Sequence, residues 1–175
     1  MPIKSRIRTI PDYPKAGIQF RDITTLLQDP VAFRIAIDGL VDAFPGVAVD
    51  KVVGIEARGF ILGGAVAKEL GAGFVPVRKS GKLPYDRIGR DYDLEYGQDR
   101  IEVHIDAVKT GEKVLLIDDL IATGGTAEAA IRVIEELGGE IVGLAVVIDL
   151  PDVGGRARIE ALGHKVVSLC AFEGD

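Results

Sequence analysis

The residues with the clearest chemistry form the run VLLIDDLIATGGT, positions 114–126. An apolar half hands over to two carboxylates, Asp118 and Asp119, at what should be the end of a buried strand. A short bridge, Leu120-Ile121, leads to Ala122-Thr123-Gly124-Gly125-Thr126, after which a helical pattern starts. Glycine there permits positive φ and close backbone approach, so successive amides can converge on one anion. A helix N-terminus adds partial positive charge, and Thr123 and Thr126 add hydroxyl donors. This predicts a cradle for a single phosphate. The pattern G-x-x-x-x-G-K-[ST] is absent and no lysine follows the glycines, which excludes a nucleoside triphosphate loop; G-x-G-x-x-G is missing as well. Carboxylates accept hydrogen bonds from vicinal hydroxyls, so the cradle with its two acids suits a sugar phosphate. The plainer alternative is a Gly-rich helix start capped by Thr126, with acids that merely end a strand. Both aspartates and both threonines together favour the cradle.

Such a loop needs a strand before it and a helix after it, and the chain supplies that order repeatedly. Asp29-Pro30 predicts a helix start, with Asp29 as cap and Pro30 in the first helical position. Phe33, Ile37, Leu40, Val41 and Phe44 recur at helical spacing up to Pro45-Gly46. Before it, PDYPKAGIQFRDITTL reads as an irregular lead. KVVGI predicts a buried strand and GFILGGAVAKELG a helix stopped by Gly71. GFVPV predicts a strand, RKSGKLPYDRIGRD a polar loop, and YDLEYG with RIEVHI an antiparallel hairpin turning at Gly97. KVLLI, EIVGLAVVI and KVVSLCAF predict further strands, with TAEAAIRVIEELGG and RARIEALG as helices between them. Apolar runs separated by crossover helices indicate an α/β fold, a parallel sheet covered on both faces. In such sheets ligands sit outside the carboxyl ends of the strands.

Composition narrows the function. The 175 residues carry 21 Lys plus Arg against 27 Asp plus Glu, a net charge of −6, which argues against a nucleic-acid partner. Cys170 is the single cysteine, so no internal disulfide or cysteine-based metal centre is expected. His104 and His164 are the only histidines and lack metal-ligand spacing. No run reaches the roughly 18 apolar residues of a membrane span, and the N-terminus lacks a secretory apolar core. A cytoplasmic protein without membrane contact is the expectation.

The 114–126 run resembles the phosphoribosyl-diphosphate (PRPP) signature of the type I phosphoribosyltransferases. PDYPKAGIQFRDIT, GIEARGF, VRKSGKLP and YDLEYG resemble, in the same order, further motifs of that family, most closely of its adenine-using members. The likeness covers most of the chain. It implies the type I phosphoribosyltransferase fold over 1–175 as one domain: a central, mostly parallel sheet flanked by helices, a small N-terminal hood over about 1–30, and a flexible hairpin or lid loop over about 78–92. It also implies a purine-salvage enzyme that moves phosphoribosyl from PRPP to adenine, giving AMP and diphosphate.

By that resemblance Asp118 and Asp119 bind the ribose hydroxyls, and Ala122, Thr123, Gly124, Gly125 and Thr126 hold the 5′-phosphate. Arg58 and Lys82 grip the diphosphate, with Lys79 and Arg78 as weaker candidates. Adenine lies between Phe20 and Leu120, its edge read by backbone groups at Gln19 and Arg21. Gln19 stands where relatives often carry an apolar residue, and Tyr85 after KLP departs from them too. Glu95 matches the family's acid/base, with Tyr96 beside it. Magnesium is implied on the diphosphate, held by PRPP and water rather than a protein cage, and a homodimer is implied as well. The lid, charged and punctuated by Gly81, Pro84 and Gly89, would close over PRPP and carry Lys82 inward. Two alternatives compete. An oxopurine-using relative would carry a lysine near the base, where IDLPDVGG has acids, and a PRPP-sensing regulator would need a DNA-reading module for which residues 1–20 are too few.

Overall fold

A computed structural model describes residues 2–94 and 97–174. Seven strands form one sheet in the order β5-β6-β4-β3-β7-β8-β9. β3 (Lys51–Ile55), β4 (Gly73–Lys79), β7 (Lys113–Ile121), β8 (Glu140–Asp149) and β9 (Val166–Ala171) run parallel to one another. β6 (Gln98–His104) is antiparallel to β4, and β5 (Arg87–Asp93) antiparallel to β6. The expected mostly parallel sheet is therefore present. Hairpin strands close one edge of it.

The sheet is covered on both faces because its strands alternate cleanly. Leu115 and Ile117 of β7 pack with Val52, Ala145 and Val147 against α2 (Pro30–Val41) and α3 (Arg58–Leu70). Val114 and Leu116 pack with Val53, Leu144 and Val146 against α4 (Gly125–Glu136) and Ile159 of α5 (Gly155–Ala161). Each successive residue thus feeds a different core. The caps read from the sequence form as expected at α2, where the Asp29 carboxylate accepts from the Val31 and Ala32 amides at 2.9 and 3.0 Å. That helix ends at Val41, earlier than Pro45-Gly46 suggests; Phe44 still packs in the same core from the turn beyond it.

Three further stretches differ from expectation. The lead is not merely irregular: β1 (Arg8–Pro11) pairs antiparallel with β2 (Gln19–Asp22), and α1 (Thr24–Gln28) follows. Their residues are mostly exposed or half-buried, so no apolar alternation announces them. β5 begins at Arg87, inside the polar stretch, rather than at Tyr92, because an edge strand can pair through its backbone with polar side chains outward. β7 continues through Ile121, which puts Asp118 and Asp119 within the strand rather than beyond its end.

Candidate active site

At the carboxyl ends of β3, β4 and β7 lies a cavity of about 330 Å³, lined also by residues 18–21 from and just before β2. Pairing of β3 with β7 brings Ile55 and Asp118, distant in sequence, to the same rim. Asp118, Asp119 and residues 120–126 line the cavity together, as do Gln19, Phe20, Arg21, Arg58 and Lys79. Nearly all the residues singled out in the sequence therefore meet in one place.

Residues 122–126 turn from β7 into α4. Gly124 takes φ +78 as the residue before the helix, a conformation that L side chains rarely adopt. No side chain caps α4; Thr123 Oγ1 accepts from the Gly125 amide at only 3.4 Å. First-turn amides have no partners within their own helix, so the loop presents donors to the cavity. Thr126 sits in the helix and is not its cap.

The acids differ in their surroundings. Asp119 is buried, and its carboxylate accepts a hydrogen bond from Arg58 Nε. Asp118 Oδ1 accepts from the Asp119 amide at 2.9 Å. Burial, and after it the neighbouring Asp119 charge, pushes the Asp118 carboxyl well above the usual carboxylate range. Burial opposes the Arg58 cation, yet Asp119, and less strongly Asp118, hold its pKa above the ordinary value.

The basic residues divide. Lys79 reaches the cavity and is held by Asp99 of β6 and by the Tyr92 hydroxyl of β5, the latter at 2.7 Å. Burial works against its charge, but Asp99 and Tyr92 raise its pKa. Lys82, in the loop between β4 and β5, does not line the cavity; its ammonium pairs with Glu56. Arg78 also stays outside the lining and approaches Glu56 at 3.4 Å. The resemblance names Lys82 ahead of Lys79 for the diphosphate; in the structure Lys79 lines the cavity and Lys82 lies outside its lining.

Phe20 and Leu120 both face the cavity, and Tyr13 packs edge-on against Phe20 with ring centroids 5.2 Å apart. The Arg21 guanidinium is occupied elsewhere, donating to Thr9 Oγ1 at 2.8 Å and lying 4.4 Å from the Phe172 ring centre. Glu95 and Tyr96 lie outside the described residues. Sequence reasoning missed Glu56, which lines the cavity where a cis peptide joins it to Ala57. Its carboxylate accepts from the Lys79 amide at 2.9 Å as well as pairing with Lys82. A carboxylate directly after the strand KVVGI was the available signal. Among the described residues no three His, Cys, Asp or Glu side chains gather to hold a metal ion, and no helix is long and apolar enough to cross a membrane.

Comparisons with known proteins agree with this geometry. A family model described as a phosphoribosyl transferase domain matches residues 40–165. Adenine phosphoribosyltransferase of Parvibaculum lavamentivorans is 64% identical over 174 residues, 99% of each chain. The crystal structure of adenine phosphoribosyltransferase from Rhodothermus marinus is 54% identical and superposes with a TM-score of 0.92, covering 97% of this chain and 96% of that one. The Saccharomyces cerevisiae enzyme, solved with an imino-altritol bisphosphate and adenine, is 38% identical with a TM-score of 0.90, covering 96% of both chains.

Proposed function

The chain belongs to the phosphoribosyl transferase family, and on that premise we propose how its residues carry phosphoribosyl from PRPP to adenine. The enzyme joins adenine to the anomeric carbon of PRPP and releases AMP and diphosphate. The observation that supports this reading best is the shared cavity: a glycine loop, the carboxylates of Asp118 and Asp119 and the apolar side chains of Phe20 and Leu120 open onto one space.

As the bond from the anomeric carbon to diphosphate breaks, the sugar acquires oxocarbenium character and the leaving group gains charge. Catalysis then rests on positioning and on charge placed in advance. Residues 122–126 hold the 5′-phosphate through backbone amides and the Thr123 and Thr126 hydroxyls. Asp118 and Asp119 accept from the ribose hydroxyls and balance the positive charge on the sugar. Arg58 meets Asp119 through Nε alone, and its terminal amino groups serve the departing diphosphate. Lys79 acts beside it. Lys82 joins them when the loop over 80–86 closes, exchanging Glu56 for the diphosphate. Adenine stacks between Phe20 and Leu120, with its edge against the backbone of Gln19 and Arg21. Adenine attacks through the lone pair of one imidazole nitrogen, and Glu95, as carboxylate, accepts the single proton carried by the other ring nitrogen as the bond to the anomeric carbon forms and the bond to diphosphate breaks.

The carboxylates lining the cavity are Glu56, Asp118 and Asp119, which among the described residues do not gather into a metal cage, so magnesium would arrive on the substrate. Asp118 and Asp119 are the residues that would face it, and bound with the diphosphate it would neutralise charge on the leaving group. The protein acts in the cytoplasm as a homodimer, and sedimentation at the mass of a single chain would overturn the latter.

A base panel tests the whole reading. Incubation with PRPP, magnesium and each purine should give AMP from adenine and little nucleotide from hypoxanthine or guanine. Equal use of guanine would overturn the assignment of the slot.

A further inference from the structure

The phosphate loop does not stand alone. Behind it runs the turn after β8, and three contacts join the two. The Gly155 amide donates to the Ala122 carbonyl at 2.8 Å. A methyl group built on Gly155 would run into that same carbonyl oxygen and stand 2.7 Å from the Gly124 nitrogen. One built on Gly124 would meet the Gly155 carbonyl oxygen at 2.9 Å, so the two backbones approach as closely as glycine allows. From α5, Arg158 Nε donates to Glu128 of α4 at 2.6 Å, and Nη1 lies 3.5 Å from the Thr123 carbonyl.

α5 is in turn fixed to the sheet. Arg156 spans Asp149 of β8 at 2.6 Å, the Val166 carbonyl at 2.7 Å and Ser168 Oγ of β9 at 2.7 Å. Asp149 is almost fully buried, so this fork is a fixed point rather than a surface pair. Arg158 itself does not line the cavity. It meets the outer side of the loop, where it touches carbonyl and carboxylate groups instead of substrate.

We infer that Gly155 and Arg158 are positioning residues for the 5′-phosphate: Gly155 lets the turn after β8 seat against residues 122–124, and Arg158 clamps Thr123 to the first turn of α4. A loop built on positive φ has few internal bonds of its own. Its amides converge only if something outside holds them, and misplacement of such donors by a fraction of an ångström weakens anion binding. Arg158 suits this role because its planar fork can serve Glu128 and Thr123 at once, whereas a lysine presents a single charged point.

The inference rests on the reading of residues 122–126 as the 5′-phosphate site, and the test separates the two. Arg158→Ala removes a half-exposed side chain, and its Tm should stay close to wild type. It should raise the KM for PRPP about tenfold, the worth of roughly one charged hydrogen bond, and weaken ribose 5-phosphate binding in proportion. kcat and the KM for adenine should stay within about twofold, a split that general loosening of the fold would not give. Gly155→Ala should reproduce the split with Arg158 still in place. PRPP and adenine KM values rising together in Arg158→Ala, or neither changing, would overturn the inference. Full recovery in Arg158→Lys would do so too, since charge alone would then suffice. If the wild-type protein fails to bind ribose 5-phosphate, the phosphate site itself is wrong; if it binds and Arg158→Ala is indifferent, only the present inference falls.

Discussion

At Asp118 the proposed ribose contact carries a stability cost. Its folded-state carboxyl is raised, chiefly by burial and next by Asp119. A carboxyl that holds its proton more tightly when folded contributes stability fully present below the unfolded pKa and lost as pH rises through the folded one. As pH rises from acid towards neutral, Asp118 therefore weakens the fold. Asp118→Asn keeps an oxygen for the Asp119 amide and removes the titrating group. Its Tm at pH 7 should exceed wild type by roughly 2–4 °C, the shift that about 1 kcal/mol gives in a chain of this size. The gain should shrink as pH falls toward 4, while PRPP binding weakens at neutral pH. A variant less stable than wild type at pH 7 would contradict the argument. Cys170 offers a contrast without function: burial pushes its thiol up to about 11, so it stays protonated and donates to the Val147 carbonyl at 3.3 Å.

Among the elements, the loop between β4 and β5 is held from β6 by a buried carboxylate, in addition to the Lys82–Glu56 pair. Glu102 of β6 accepts from the Gly81 amide at 3.0 Å and Ser80 Oγ at 3.2 Å, and pairs with Arg87 at 3.0 Å and Arg100 at 3.5 Å. Burial alone would raise its pKa, but the Gly81 amide and the Arg87 charge bring it below the ordinary value. Its stabilisation is thus present above the unfolded pKa and lost as pH falls through the depressed folded one. Glu102→Gln should cost about 2 kcal/mol at pH 7, because the two arginines lose their charged partner, and the difference should fade in acid. Limited proteolysis should cut the loop over 80–86 faster in this variant. PRPP and adenine together should protect the wild-type loop, and cleavage indifferent to both would sink the lid.

For the molecule as a whole, β7 matters because both cores meet on it. Leu115 faces one helical layer and Leu116 the other, each essentially without solvent exposure. Truncation of either to alanine should cost about 2–5 kcal/mol. Since one sheet anchors both layers, backbone circular dichroism and tyrosine fluorescence should lose structure in one coincident transition in either variant. A separate early transition confined to one probe would show that the layers unfold apart.

Legibility followed the range of the interactions. Helix caps, buried strands and the glycine loop are readable because each is written within about a dozen neighbouring residues: Asp29 before Pro30, the unbroken apolar run VLLI, ATGGT ahead of a helical pattern. β1, β2 and the start of β5 are not, because half-exposed strands pair through backbone atoms and leave no apolar period. The order of residues alone determined an α/β chain with a glycine loop and two acids just ahead of it. Only the folded sheet decided that Arg58 reaches Asp119, that Lys79 rather than Lys82 lines the cavity, and that Arg158 stands behind Thr123. Those contacts join residues dozens of positions apart, and parallel pairing brings strand ends together whatever the separation along the chain. Polar side chains carry no periodic signal that could have named their partners in advance.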